Sequence, residues 1–202
     1  MVQAPSPPKP LLLQLPDELL LQVTREQFVA LVSANPDLRL ECTARGELIV
    51  NPPTGGETGK RNAKIGTQLG IWGEANETLG EYFDSSTGFE LPNGANRSPD
   101  ASWVSKDKWE ALTPEQREGF IPLCPDFVVE LRSKTDSLKD LRTKMQEYLD
   151  NGTQLGWLID PKNKRVEIYR ADRVVEVVEN AIALSGEGIL PSFTLSMERI
   201  WS

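Results

Sequence analysis

Pro125-Asp126-Phe127-Val128-Val129-Glu130-Leu131-Arg132-Ser133 is the stretch from which the fold is read. Phe127, Val128, Val129 and Leu131 form a short apolar run of strand formers, which reads as a largely buried strand. Glu130 sits inside it. A carboxylate in a buried strand is costly unless something pairs with it, and a metal ion is one such partner. Side chains alternate along a strand, so Asp126, Val128, Glu130 and Arg132 share one face and Phe127, Val129 and Leu131 the other. Asp136 or Ser137 can cap a following helix to about Asp150, with Leu138, Leu141, Met145 and Tyr148 on one stripe. Asn151-Gly152 ends that helix. Gly156-Trp157-Leu158-Ile159-Asp160 is a second apolar strand. Strand, helix and strand in this order make a crossover with parallel strands, and open α/β sheets form their sites at the carboxyl ends of such strands.

Upstream, Thr24 and Gln27 make a capping box for a helix carrying Phe28, Leu31 and Val32 and ending near Asn35-Pro36. Residues 38–42 and 47–50 flank Ala44-Arg45-Gly46 as a hairpin. A loop over Pro52–Gly59 leads into a helix to about Glu77, with Ile65, Leu69 and Trp72 at helical spacing. Residues 82–84 and 88–91 read as short strands and 92–99 as a polar turn region. Residues 100–104 form a strand with Asp100 at its mouth. A short helix and an excursion fill 105–124, and 165–170 and 174–178 form a hairpin. Residues 1–16 are expected to be a flexible Pro-rich tail and 17–202 a single domain without internal repeats.

The bulk numbers exclude some chemistries. The 202 residues carry a net charge of −8, which argues against a surface that holds nucleic acid nonspecifically, although a local basic groove is compatible with it. There is no histidine, hence no His-based triad, no imidazole base and no His metal ligand. Cys42 and Cys124 are far apart and have no metal-ligand spacing, as in a reduced compartment. Leu11 to Leu15 is too short to span a membrane and lacks a cleavage-site pattern. The expectation is a cytoplasmic, soluble protein.

Asp100 and Glu130 carry the candidate chemistry. Two carboxylates from neighbouring strands, with a backbone carbonyl and waters, make a hard oxygen site suited to Mg²⁺ or Mn²⁺. Such an ion can activate water and neutralise charge on a phosphoryl group. Lys144, on the edge of the apolar stripe near Leu141 and Tyr148, can point towards the strand mouths and stabilise developing charge. Arg132 stays protonated and could clamp a phosphate but not act as a base. Glu57, at the start of a helix, and Gln146 are supporting candidates; the bland alternatives are a dipole-complementing carboxylate and a surface amide. Asp126 begins the strand and is a weaker candidate. Lys60, Arg61 and Lys64 form the best candidate phosphate-contacting cluster, or else a solvated helix face.

Residues 97–104, 125–133, the helix with Lys144-Met145 and Glu147-Tyr148, the run 156–161, and Gly186-Glu187-Gly188-Ile189-Leu190-Pro191 together resemble the Uma2 family. This family, formerly a domain of unknown function and abundant in cyanobacteria, is placed in the PD-(D/E)xK restriction-endonuclease-like superfamily. The resemblance runs from about residue 24 to 200. It implies an α/β (α+β) fold with a restriction-endonuclease-like core, a central mixed β-sheet flanked by helices. It further implies a metal-dependent endonuclease acting on DNA, with Asp100 and Glu130 as ligands of Mg²⁺ or Mn²⁺. The lysine that the strict motif keeps in the strand is Arg132 here, which moves that role to Lys144 on the following helix. Pairing of two copies to cut both strands follows from the same resemblance. The rival expectations are a nuclease-fold interaction protein without turnover, favoured by the net charge and by Arg132, and a hydrolase using the same ion on another substrate.

Overall fold

The computed structural model describes residues 20–202, so the expected tail lies outside the described residues. In chain order the elements are α1 (Arg25–Ala34), β1 (Arg39–Cys42), β2 (Leu48–Asn51), α2 (Gly56–Ala75), β3 (Gly80–Asp84), β4 (Phe89–Glu90), β5 (Asn96–Arg97) and β6 (Ala101–Ser105). They continue with α3 (Lys106–Glu110), α4 (Pro114–Glu118), β7 (Phe127–Leu131), α5 (Leu138–Asp150), β8 (Leu155–Asp160) and β9 (Arg165–Arg170). The chain closes with β10 (Glu176–Glu179), β11 (Ala183–Ser185), β12 (Thr194–Ser196) and α6 (Glu198–Trp201).

Six strands form the central mixed sheet in the order β10-β9-β8-β7-β6-β3. β7 and β8 are parallel and joined through α5, as the alternation of patterns requires; the other neighbours are antiparallel. β7 is buried along its whole length, and the two faces that its alternation defines meet different partners. Phe127, Val129 and Leu131 pack with Trp157 and Ile159 against Ile65 and Leu69 of α2 and against Phe193, Leu195 and Ile200 of the C-terminal segment. Val128 packs on the opposite face with Met145 and Tyr148 of α5. The Phe127 and Trp157 rings meet edge to face at 4.8 Å.

A second, four-stranded sheet runs β2-β1-β5-β4. Its member β5 corrects the expectation of a polar turn over 92–99: Asn96 and Arg97 are buried, and Asn96 pairs with Cys42 of β1. Phe89, Leu91 and Ala95 join this region to the α5 side of the core. The expected caps are present. Thr24 and Gln27 form the reciprocal box of α1, and the Ser137 hydroxyl accepts from the Asp140 N–H at the start of α5. Among the described residues no helix is long and apolar enough to cross a membrane.

Two stability predictions arise from this frame. Gly80 sits where β3 meets β6, and a Cβ there would lie 2.1 Å from the Val104 carbonyl oxygen and 2.6 Å from the Trp103 ring. Backbone cannot yield as a flexible side chain can. Gly80→Ala is therefore expected to cost at least about 2 kcal/mol, a fall in Tm of about 4–8 °C by calorimetry; an unchanged Tm would contradict the register.

Asp126, just before β7, accepts from the Ser105 N–H and the Gln154 amide and pairs with Lys108, each at 2.8 Å. Burial works against its charge, but Lys108 and these donors outweigh it and hold the carboxyl below the ordinary aspartate value. The folded pKa lies below the unfolded one, so this stabilisation is present above about pH 4 and is lost as pH falls through the folded value. Urea titrations should show a gap between wild type and Asp126→Asn that is widest near neutrality and narrows in acid. A gap independent of pH would contradict this origin.

Candidate active site

β6 and β7 place the two carboxylates. Ala101 lies opposite Val129, and the Asp100 N–H donates to the Val129 carbonyl, so Asp100 falls opposite Glu130 at the end of the pair. Asp100 Oδ2 accepts from the Leu131 N–H at 2.8 Å and Oδ1 from the Asn62 amide of α2 at 3.0 Å. Glu130 points to the α5 side. Its Oε1 lies 2.8 Å from the Lys144 Nζ and accepts from the Tyr148 hydroxyl at 3.1 Å. Lys144 and Tyr148 are four apart on α5, so a single helix face presents the ammonium and the phenol together.

The structure adds residues that the sequence reading left out. Lys144 Nζ also donates to Glu41 Oε1 at 3.0 Å. Glu41, on β1, is buried and pairs through Oε2 with Arg97 of β5 at 3.3 Å. Arg97 in turn binds Glu147 of α5 at 2.5 Å, closing a chain of four charges that returns to the helix carrying Lys144. The spacing of Lys144, Glu147 and Tyr148 on one helix face was the available signal. Glu41 alternates with the apolar Leu40 and Cys42, a pattern that reads as an ordinary solvated strand face.

The electrostatics follow from crowding in a dry place. Burial, together with the like charges of Asp100 and Glu41, pushes the Glu130 carboxyl up to about 7 even though Lys144 favours its ionised form. Burial likewise raises Asp100, against the Leu131 N–H and Lys144. Burial disfavours the charge of Lys144, but Glu130 and Glu41 outweigh it and keep the ammonium protonated, so Lys144 serves as a donor and a fixed charge rather than a base. Glu41 is lowered: Lys144 and Arg97 together overcome the cost of its burial.

These groups line an open cavity of about 680 Å³, walled also by Arg39, Asn62, the loop running into α2 and the loop after β7. The supporting candidates fare differently. Glu57 lines the cavity mouth but is tied to Lys60 and Arg61. Arg132 is turned away to Asp160 at 2.7 Å and does not line the cavity. Gln146 lies outside it, on the other side of α5, bonded to Asp150. The basic cluster on α2 is also engaged: Arg61 and Lys64 donate to the Ile200 and Arg199 carbonyls at the C-terminal helix, which removes them as a phosphate-contacting set.

The donor set fits a hard divalent cation. Among the described residues no three Asp, Glu, Cys or His side chains come close enough to enclose an ion. Asp100 and Glu130 are hard oxygen donors of the type that Mg²⁺ takes in ones and twos while keeping several waters. Glu130 and Glu41 converge on Lys144, and Asp100 lies within reach of its charge, so these carboxylates leave negative charge that a cation would neutralise.

A solved structure from Anabaena variabilis ATCC 29413, described as "a putative nuclease belonging to DUF820", is similar to this chain with a TM-score of 0.67 at 20% identity. The likeness covers 80% of this chain and 89% of that one, and at this identity it shows the fold alone. No curated protein matches the chain. A model of the Uma2 family, described as "Putative restriction endonuclease", matches residues 25–198. That match spans the six-stranded and four-stranded sheets, the two carboxylate strands and α5, and the chain belongs to the Uma2 family.

Proposed function

We propose that this protein is a divalent-metal-dependent endonuclease that hydrolyses DNA phosphodiester bonds. The observation that carries the reading is the meeting of Asp100, Glu130 and Lys144 in one open cavity at the end of the β6–β7 pair. Membership of a family whose description is "Putative restriction endonuclease" supports it.

Asp100 and Glu130 would hold Mg²⁺ or Mn²⁺, with a backbone carbonyl and waters completing the shell. A bound divalent cation supplies charge neutralisation at a phosphoryl group and acidity to water. The Leu131 N–H and the Asn62 amide fix the Asp100 carboxylate, and Tyr148 fixes Glu130, so the two do not reorganise when substrate arrives. Lys144 holds its proton and directs an N–H towards negative charge developing at the attacking oxygen or the phosphoryl group. Glu41 holds the ammonium in place from the far side.

Supercoiled plasmid incubated with folded protein should be nicked and linearised in Mg²⁺ or Mn²⁺ and left intact in EDTA. No cleavage with either ion would overturn the reading and leave a nuclease-fold interaction protein, a role in which Lys144 serves only as the buried counter-ion of Glu41 and Glu130.

A further inference from the structure

Arg39 and Glu41 lie two apart on β1 and share a face, and both side chains line the cavity. Their situations differ. Glu41 is held by Lys144 and Arg97. Among the described residues Arg39 has no ion pair and donates no side-chain hydrogen bond, and its Nε is buried without an acceptor. A guanidinium carries five N–H donors, and here none of them has an acceptor among the described residues. Of the other cations lining the cavity, Lys144 is engaged with Glu130 and Glu41, and Lys134, on the loop after β7, is exposed and so bathed by solvent; nearby Arg97, Lys60 and Arg61 are paired with Glu41, Glu147 and Glu57.

What would satisfy Arg39 is an anion entering the cavity. Its fork matches two oxygens of a phosphate, and its charge repels the metal ion, so it is no part of the ion's shell. A second positive element lines the same cavity. Gly55 caps the 20-residue helix α2 without any side-chain acceptor, and Gly55, Gly56 and Glu57 of that end face the opening. The first N–H groups of such a helix favour phosphate oxygens.

We propose that Arg39, supported by the N-terminus of α2, grips a backbone phosphate of the substrate next to the one cleaved. This rests on the endonuclease reading, and it moves the phosphate clamp expected at Arg132 to Arg39 on β1. Arg39 is then a substrate-binding residue whose tie to the free protein is a weak charge attraction to Asp100, with no hydrogen bond or ion pair.

The test is fluorescence anisotropy of a short labelled DNA duplex in EDTA over a series of NaCl concentrations, on wild type, Arg39→Ala and Arg39→Lys, with Tm and plasmid cleavage measured alongside. Arg39→Ala should bind about 10-fold more weakly and lower the slope of log affinity against log salt by about 1, with an unchanged Tm. Arg39→Lys should keep the slope and recover only part of the affinity, since it keeps the charge but not the fork. Wild-type affinity and slope in Arg39→Ala, with wild type cleaving DNA, would overturn the clamp and leave the endonuclease standing. A fall in Tm without loss of binding would overturn it equally, making Arg39 structural. A wild type that neither binds nor cleaves DNA would overturn both.

Discussion

Lys144→Met should abolish most DNA cleavage while leaving Asp100 and Glu130, the proposed metal ligands, in place. The ammonium is the hydrogen-bonding cation shared by Glu130 and Glu41, at 2.8 and 3.0 Å. Methionine keeps the length and packing of the stem beside Leu141 and Tyr148 but removes the charge. Loss of a preorganised donor aimed at developing charge is expected to lower the cleavage rate by about 10²–10³-fold. In metal-free protein the same change leaves two buried carboxylates without their shared partner, at a cost of about 3–5 kcal/mol. These effects separate on adding Mn²⁺. A cation at Asp100 and Glu130 replaces part of the lost positive charge, so Mn²⁺ should raise the Tm of Lys144→Met more than that of wild type, without restoring cleavage. A variant that cleaves at the wild-type rate would remove Lys144 from the chemistry.

Arg97→Met is the second large effect, and it acts on stability. Arg97 is only 8% exposed and bridges Glu41 to Glu147, joining β1 and β5 of the small sheet to α5. Removing it takes one of two cationic partners from the Glu41 carboxylate, which is 5% exposed and keeps only Lys144, while Glu147 can still reach water. The expected loss is about 3–5 kcal/mol, or roughly 6–20 °C in Tm. Adding Glu41→Gln removes the under-compensated charge together with its lost partner. Arg97→Met/Glu41→Gln should therefore be more stable than Arg97→Met alone, a coupling that a double-mutant cycle by urea unfolding measures directly. Additive losses would mean that the pair is not coupled.

What was legible in the sequence was local. Alternation along Phe127–Leu131 put Glu130 on the face that meets α5, and the strand after Pro99 put Asp100 at its mouth. The apolar stripe of α5 left Lys144 at its edge, so all three residues of the proposed site could be named from patterns spanning a few residues each. The buried network behind them was not legible. Glu41 reaches Arg97 across 56 positions and Lys144 across 103. Only the docking of the small sheet near α5 makes these charges neighbours. Arg97 sat in a stretch whose composition reads as turn, because a two-residue strand carries no periodicity. Arg61 and Lys64 show the converse: a cationic helix start that invites phosphate is occupied by carbonyls 139 and 135 positions away. Arg132 was assigned by its distance from Glu130, whereas Asp160 at the end of the neighbouring strand claims it.

The central claim is that Asp100 and Glu130 together hold a divalent cation beside Lys144. Calorimetric titration of Mn²⁺ into wild type and Glu130→Gln, a substitution that keeps the shape and an acceptor for Tyr148, tests it most directly. The account predicts one ion bound per wild-type chain and no measurable binding, or affinity lower by at least about 100-fold, in the variant. Equal binding by both proteins, or none by folded wild type, would contradict it.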